Sequence, residues 1–523
     1  MPRARSLSRA VLAVLLAACA FPVFAKDDSA DRRGLIHALN RLSYGPRPGD
    51  LDRLKAEGLA KHVERQLHPE RIDDSACASE LSRYPALAMS SAQLESRYPK
   101  GKDGAGAGRP AEILEQLAAA KVTRAARCER QLEEIMTDFW FNHFNVAFNK
   151  GPVKWQLVGY ERDTIRPRVF GRFRELLGAV ARSPAMLFYL DNAQSSVDAR
   201  YAPAEDLERM EKRRKRRPQA KKTGLNENYA RELLELHTLG VDGGYTQQDV
   251  TELARILTGW SVDRRSGAEP AFVFRPRMHD RGRKTLLGRS FQDDGVNEGE
   301  RALDLLATHP STARFIALKL CRRFVADEPP PALVERVAKR FTSSGGDIRD
   351  SLRVIFDSPE FADPLLFRAK VRTPLEFVAA ALRVTGASLE NPKAVARALR
   401  SMGQPLYECE PPTGYPDRAE AWVSAGGLLA RLRIAERMFA TGPKAPARVD
   451  LERLSGGSDD AASTLAALTA SLLQGEITDR TRSALLARID HPDVSRRGPD
   501  GRPRPRPARL AALILGSPEF QRR

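Results

Sequence analysis

No internal run of apolar residues in this chain reaches the roughly 18–20 needed to cross a bilayer, which excludes a polytopic membrane protein. No Gly-X-Y or heptad register persists, so collagen and long coiled coils are excluded as well. Cysteine is scarce, five in 523 residues. None forms a C-x-x-C pair of metal-binding spacing, and Cys77, Cys128, Cys321 and Cys409 would form at most two disulfides in an oxidising compartment. G-x-S-x-G elbows, P-loops and dinucleotide fingerprints are missing too, so those nucleophile and cofactor chemistries have no positive support. Negative charge is in short supply: 67 Asp and Glu face 85 Lys and Arg, for a formal +18. What is present, 42% hydrophobic residues over this length, is enough for a sizeable core and two to four packing units.

The first 25 residues read as an export signal, with Arg3, Arg5 and Arg9 ahead of an apolar stretch over 10–24. Val23-Phe24-Ala25 offers a cut before Lys26. Leu16-Ala17-Ala18-Cys19 offers a rival, a lipobox in which acylated Cys19 would anchor the protein to a membrane. Either way a periplasmic or extracellular protein is expected, and loss of the leader leaves a formal charge of +15, because three of its residues are arginine. Export makes nucleic acid an unexpected partner and leaves an anionic envelope surface, an acidic polysaccharide or an acidic protein to meet the excess charge. Much of that excess is local, in Lys212-Arg213-Arg214-Lys215-Arg216-Arg217 with Lys221 and Lys222, which reads as a solvated loop near 195–224.

The dominant period is helical. Phe170, Phe173, Leu176, Leu177 and Val180 form one stripe, stopped at Ser183-Pro184, where a new helix can start with proline in its first turn. The same punctuation recurs at Ser358-Pro359-Glu360-Phe361 and Ser517-Pro518-Glu519-Phe520, as a helix-end device with Glu in the favourable first turn. Strand signal is confined to one expected hairpin near 271–287, pairing 271–275 with 284–287. The expectation is a predominantly α protein, a multi-helix array. After the leader, a main helical domain would run over 26–440 and a C-terminal helical segment over 441–523 would pack on it, with linkers at 99–109, 441–447 and 496–507.

Two helices carry polar residues worth weighing. Over 132–146, steps of 100° place Leu132, Ile135, Met136, Phe139, Trp140, Phe144 and Val146 on one apolar arc with His143 near its middle. A histidine there is expected to be buried with a ring nitrogen bonded to Asn or a carboxylate. Over 226–239, Tyr229, Leu233, Leu234 and Leu236 mark the apolar side and His237 lies with them. Glu227, Arg231 and Glu235 follow at i, i+4 and i+8 on the polar side, beside Asn228 and Glu232. This spacing fits a solvated ladder, but the flanking Asn226 and Asn228 favour a face turned toward protein, with Arg231 forking to Glu227 and Glu235 or reaching Asp191. His237 is far from Glu232 and Glu235 on a 3.6-residue wheel, so no H-E-x-x-H pair exists and a metal would have to gather His143, His237 and His279 from separate elements.

Several stretches stand out together: Phe139-Trp140-Phe141-Asn142-His143-Phe144, Tyr189-Leu190-Asp191-Asn192, the run from Asn226 to Gly240, and His279-Asp280. With Tyr245-Thr246-Gln247, Leu257-Thr258-Gly259-Trp260, Lys370-Val371-Arg372-Thr373-Pro374-Leu375-Glu376-Phe377, Gly414-Tyr415-Pro416 and Trp422, they make the chain resemble the bacterial family catalogued as domain of unknown function 1800. The resemblance implies an exported, mostly helical protein, and as partner an exported protein resembling sulfatases and alkaline phosphatases. The expected function is a binding or assembly component of the cell envelope, with Asn142, Asp191, Asn192, Glu227, Asn228, Arg231 and Glu235 as binding residues. The alternative is a hydrolase in which His143, His237 and His279 hold a divalent metal and Glu232 or Asp280 activates water.

Overall fold

Helix starts and stops are written locally in this chain, and the buried Pro374–Thr385 helix shows how. Thr373 accepts from the Glu376 backbone N–H while the Glu376 side chain accepts from the Thr373 N–H, a reciprocal cap. Pro374 takes the first helical position, and Gly386 closes the helix with a φ of 62°. Every residue between is buried, which is the pattern of a helix surrounded on all sides. Each large apolar side chain along it, such as Leu375 or Phe377, contributes about 1.5–3 kcal/mol by leaving water.

The computed structural model describes residues 28–523 apart from 102–107, 199, 201–207, 209–223, 265–266, 441–444, 459 and 490–503. The anticipated export signal with Cys19 and the basic run from Lys212 to Lys222 lie outside the described residues. The described chain is predominantly α, with helices following one another from Asp28–Leu42 to Pro518–Gln521 and three two-stranded antiparallel sheets. Buried apolar side chains from Ala38 to Phe520 form one continuous main cluster.

The anticipated strands exist but pair differently. Ala271–Phe274 pairs with Trp260–Asp263, and Lys284–Leu286 pairs with Arg289–Phe291. The stretch between the two anticipated partners is occupied by the Pro276–Met278 turn of 3₁₀ helix and by the buried His279 and Asp280. Each strand instead finds the partner that a shorter connection brings to it.

Both Ser-Pro-Glu-Phe segments use the same bond, with the Phe361 N–H donating to Ser358 Oγ and the Phe520 N–H to Ser517 Oγ. The second opens a short helix and the first only a turn. The C-terminal segment is tied down at its end: the Arg523 N–H donates to the Lys370 carbonyl at 2.8 Å and the Lys370 N–H to the Arg523 carbonyl at 3.2 Å. Arg431, buried in the Ala425–Met438 helix, bridges both strands of that contact through Gln521 and the Arg372 carbonyl. One disulfide forms, Cys77 to Cys128, while Cys321 and Cys409 are free and buried.

Candidate functional site

The Gln131–His143 helix buries its anticipated arc: Leu132, Ile135, Met136, Trp140, Phe144 and Val146 lie in the core, and Phe139 is half-buried. At its end, Asn142 donates to the Tyr415 carbonyl at 2.8 Å and accepts from the Tyr415 N–H at 2.7 Å. This two-pronged clamp requires Gly414, whose φ is 67° and where a Cβ would lie 2.3 Å from the Asn142 carbonyl oxygen. Asn145 donates to the carbonyls of Cys409 and Pro411 at 2.8 and 2.9 Å. Tyr415 and Trp422 hold the loop's own shape through the carbonyls of Pro405 and Pro416. Backbone and amide chemistry thus staple the 404–422 loop across the helix end.

Between this helix, the loop and the Pro310–Phe324 helix lies a cavity of about 270 Å³. Phe139, Tyr415 and Trp422 give it aromatic walls, and Asn142, His143 and Lys319 give it polar ones. Its charged lining is unbalanced: Lys121, Lys319, Arg322, Arg323 and Arg418 against Asp138 and Asp417. Most of these cations are engaged. Lys121 pairs with Asp138 at 2.7 Å, Arg418 with Glu328 at 2.8 Å, Arg323 with Glu376, and Arg322 donates to the Asp327 carbonyl at 2.9 Å. Asp417 faces Lys370 at 3.2 Å.

Lys319 differs. Among the described residues no carboxylate or carbonyl binds its ammonium, which lies 5.4 Å from the centre of the Phe315 ring. Burial pushes its pKa down to about 8, with Arg322 adding to the shift and Asp417 opposing it.

His143 is buried as anticipated, but its partner is neither Asn nor carboxylate. Its Nε2 lies 3.1 Å from the His237 backbone carbonyl, which can only accept, so Nε2 carries the proton and Nδ1 keeps a lone pair without a protein partner. Burial holds its pKa far below the ordinary imidazole range, with Lys319 and His237 adding to the effect. His237 falls to about 3, again through burial and then Lys319. Both rings are neutral spacers between aromatic side chains, with centres 6.3 Å apart.

His279 does not join them. It belongs to a separate buried cluster in which its Nδ1 donates to the Thr258 carbonyl at 2.9 Å and its Nε2 lies 3.5 Å from Glu298 and 3.9 Å from Asp293. The anticipated set of three imidazoles is therefore not formed. His279, Asp293 and Glu298 do place ligand-type atoms within 4.8 Å of one another. Lys284, however, lays its ammonium on both Glu298 oxygens at 3.0 and 2.7 Å, filling with the chain's own cation the place a metal would take. Asp280, anticipated as a base, is fully buried and paired with Arg255 at 2.8 Å. It also accepts from the Gly282 N–H, so it stabilises a turn and has no lone pair aimed at a cavity.

The 226–240 region corrects a further expectation. It begins as an α-helix over Asn228–Glu232 and widens into a π-helix over Leu233–Thr238, where the Leu239 N–H donates to the Leu234 carbonyl and Thr238 Oγ1 to the Leu233 carbonyl. Its charged face meets water: side-chain exposure is 39% for Arg231 and 35% for Glu227. Arg231 donates to Gln247 at 2.9 Å and reaches Glu227 only at 3.5 Å, and it bonds neither Glu235 nor Asp191. Glu235 accepts from the Tyr245 hydroxyl and Asp191 pairs with Lys150 on the surface. Glu232 is half-buried, its pKa raised by burial and then by Glu235. Asn228 is exposed and donates to the Leu190 carbonyl, while buried Asn192 donates to the carbonyls of Leu257 and Trp260. Of the residues singled out from sequence, Asn142 and His143 line the cavity.

The family described as Protein of unknown function (DUF1800) matches residues 37–522. The chain belongs to that family. No curated protein and no solved structure matches it. In this DUF1800 chain part of the cavity wall comes from stretches quoted for the resemblance, around Asn142, Thr373, Tyr415 and Trp422. Lys319 and Arg322 stand outside them. Their signal was a single lysine interrupting Phe315-Ile316-Ala317-Leu318 and Leu320-Cys321, a place where a helix facing the core has no ordinary use for an ammonium.

Proposed function

We propose that this protein is a binding component of the cell envelope, and that the cavity beside Lys319 receives an anionic group from a ligand or exported partner. The observation that carries the reading is an ammonium without a counter-ion in a walled cavity whose other cations, Arg322 apart, are paired with carboxylates. Lys319 is half-buried and no carboxylate lies on its ammonium, so an incoming anion is the group that would pair it. Aromatic walls beside it suit an organic anion with a flat or apolar face. The apolar leader and the Cys77–Cys128 disulfide support export to an oxidising compartment. The resemblance implies a sulfatase- or phosphatase-like exported partner, which makes sulfate and phosphate natural first probes. A metal-assisted hydrolase finds less support, because the three histidines proposed to hold the ion are divided between two clusters and Lys284 sits on Glu298.

The test uses protein purified from the envelope fraction, its mature N-terminus read by mass spectrometry, and titration calorimetry with phosphate, sulfate and a uronic acid. Saturable binding is expected, abolished in Lys319→Met at unchanged melting temperature. Absence of binding to all three anions, or equal binding by Lys319→Met, overturns the reading.

A further inference from the structure

Lys319 combines properties that anion binding alone does not call for. A site built only to hold an anion is served by arginine, whose guanidinium stays charged and forks onto two oxygens. Here the group without a counter-ion is an amine that lines the cavity with Phe139 and His143, its nitrogen 5.4 Å from the centre of the Phe315 ring. Arg322 follows one helical turn later, so both project from the same side of the Pro310–Phe324 helix into one cavity.

We propose that the Lys319 amine forms a reversible imine with a small carbonyl compound that carries an anionic group, the α-keto acids being the simplest such class. The proposal rests on the anion-binding reading of the same cavity. The anionic group would be drawn by the cavity's excess positive charge toward Arg322, which is bonded to the Asp327 carbonyl and to no carboxylate, leaving the carbonyl carbon toward Lys319. The neutral amine adds to that carbon, a C–N bond forms, and one amine proton passes to the carbonyl oxygen, giving a carbinolamine. The C–O bond then breaks and the hydroxyl leaves as water with the second amine proton, giving the imine. Nothing is oxidised or reduced, and no co-reactant is needed. The amine's lowered pKa favours the step, since a lysine titrating at about 8 holds roughly 300-fold more neutral amine at neutral pH than one at its ordinary value of 10.5. Tyr415 and Trp422 supply aromatic faces against which a planar imine can lie.

The experiment treats the full mature protein with pyruvate and cyanoborohydride, which reduces an imine to a stable secondary amine, and maps the adduct by peptide mass spectrometry. One adduct at Lys319 is expected, in clear excess over every other lysine, and lactate, an anion of similar size without the carbonyl, should compete with it. Lys319→Arg keeps the positive charge, so it should retain anion binding by calorimetry and lose the adduct. Should that variant fail to fold, the distribution of adducts over the lysines of the wild-type protein decides by itself. Adducts spread evenly over the lysines, or none at all, overturn the imine. If anions still bind in that case, only this inference falls, whereas absence of both the adduct and anion binding overturns the binding reading with it.

Discussion

Replacing Glu161 by glutamine removes one negative charge from a nest of positive ones directly behind the cavity. Glu161 lies in a π-helical segment, Tyr160–Ile165, and is buried. It accepts from the Tyr407 hydroxyl at 2.7 Å and faces Lys121 at 3.7 Å, Arg124 at 3.5 Å and Arg166 at 3.5 Å. Burial alone would raise its pKa, but the three cations and the tyrosine outweigh burial and bring it down to about 2. Against an ordinary value of 4.5, a depression of that size corresponds to about 3 kcal/mol of folded-state stabilisation at neutral pH. Because the folded-state pKa is depressed, this stability is present in full above pH 4.5 and is lost as pH falls toward 2. The assay is urea denaturation of wild type and Glu161→Gln at several pH values. The two should differ by about 3 kcal/mol at pH 7, and the gap should close between about pH 4.5 and 2. A gap that stays constant with pH would refute the reasoning, since it would come from packing and not from charge. A gap under about 1 kcal/mol at pH 7 would place Glu161 with ordinary surface pairs.

Two further substitutions test other parts of the fold. Lys284→Met should strand the fully buried Glu298 carboxylate and cost on the order of 3–5 kcal/mol, read from the denaturant midpoint, whereas a cost below about 1 kcal/mol would mean that another cation takes the place of Lys284. Arg231→Ala should cost less than about 1 kcal/mol in the same measurement, because its pair with Glu227 is long and exposed, and a cost of several kcal/mol would put that face back inside the protein.

The helical character was legible because burial imposes its period on the sequence. The arc around Trp140 and the Ser-Pro-Glu-Phe caps could be read from spacing and capping chemistry alone. The wheel drawn for 226–239 put Tyr229, Leu233, Leu234 and His237 on the buried side, where they lie, and only Leu236, inside the π-helical stretch, is less buried than its place implied. The expectation that failed was that the opposite, charged side is covered by protein. Strand pairing was illegible for a different reason. Segments of three or four residues carry too little pattern to select among neighbours, and the turn chemistry between 274 and 284 decided for other partners.

Misjudging the charged face of 226–240 and missing Lys319 share one cause. A run of alternating charges draws the eye, yet in this protein it is satisfied by neighbours along the chain, Arg231 with Gln247 and Glu227, Glu235 with Tyr245. Functional tension lies instead where a polar group has no partner nearby in sequence, and that condition is a property of packing, invisible until the Pro310–Phe324 helix meets the loop over 404–422. Asn142 was the one residue carrying both kinds of information. Its amide is spent on holding Tyr415 in place, which fixes the wall of the cavity, while Lys319 across from it is left with no counter-charge. The polar motif that could be recognised therefore builds the site, and the residue expected to act in it is a lysine set among apolar neighbours.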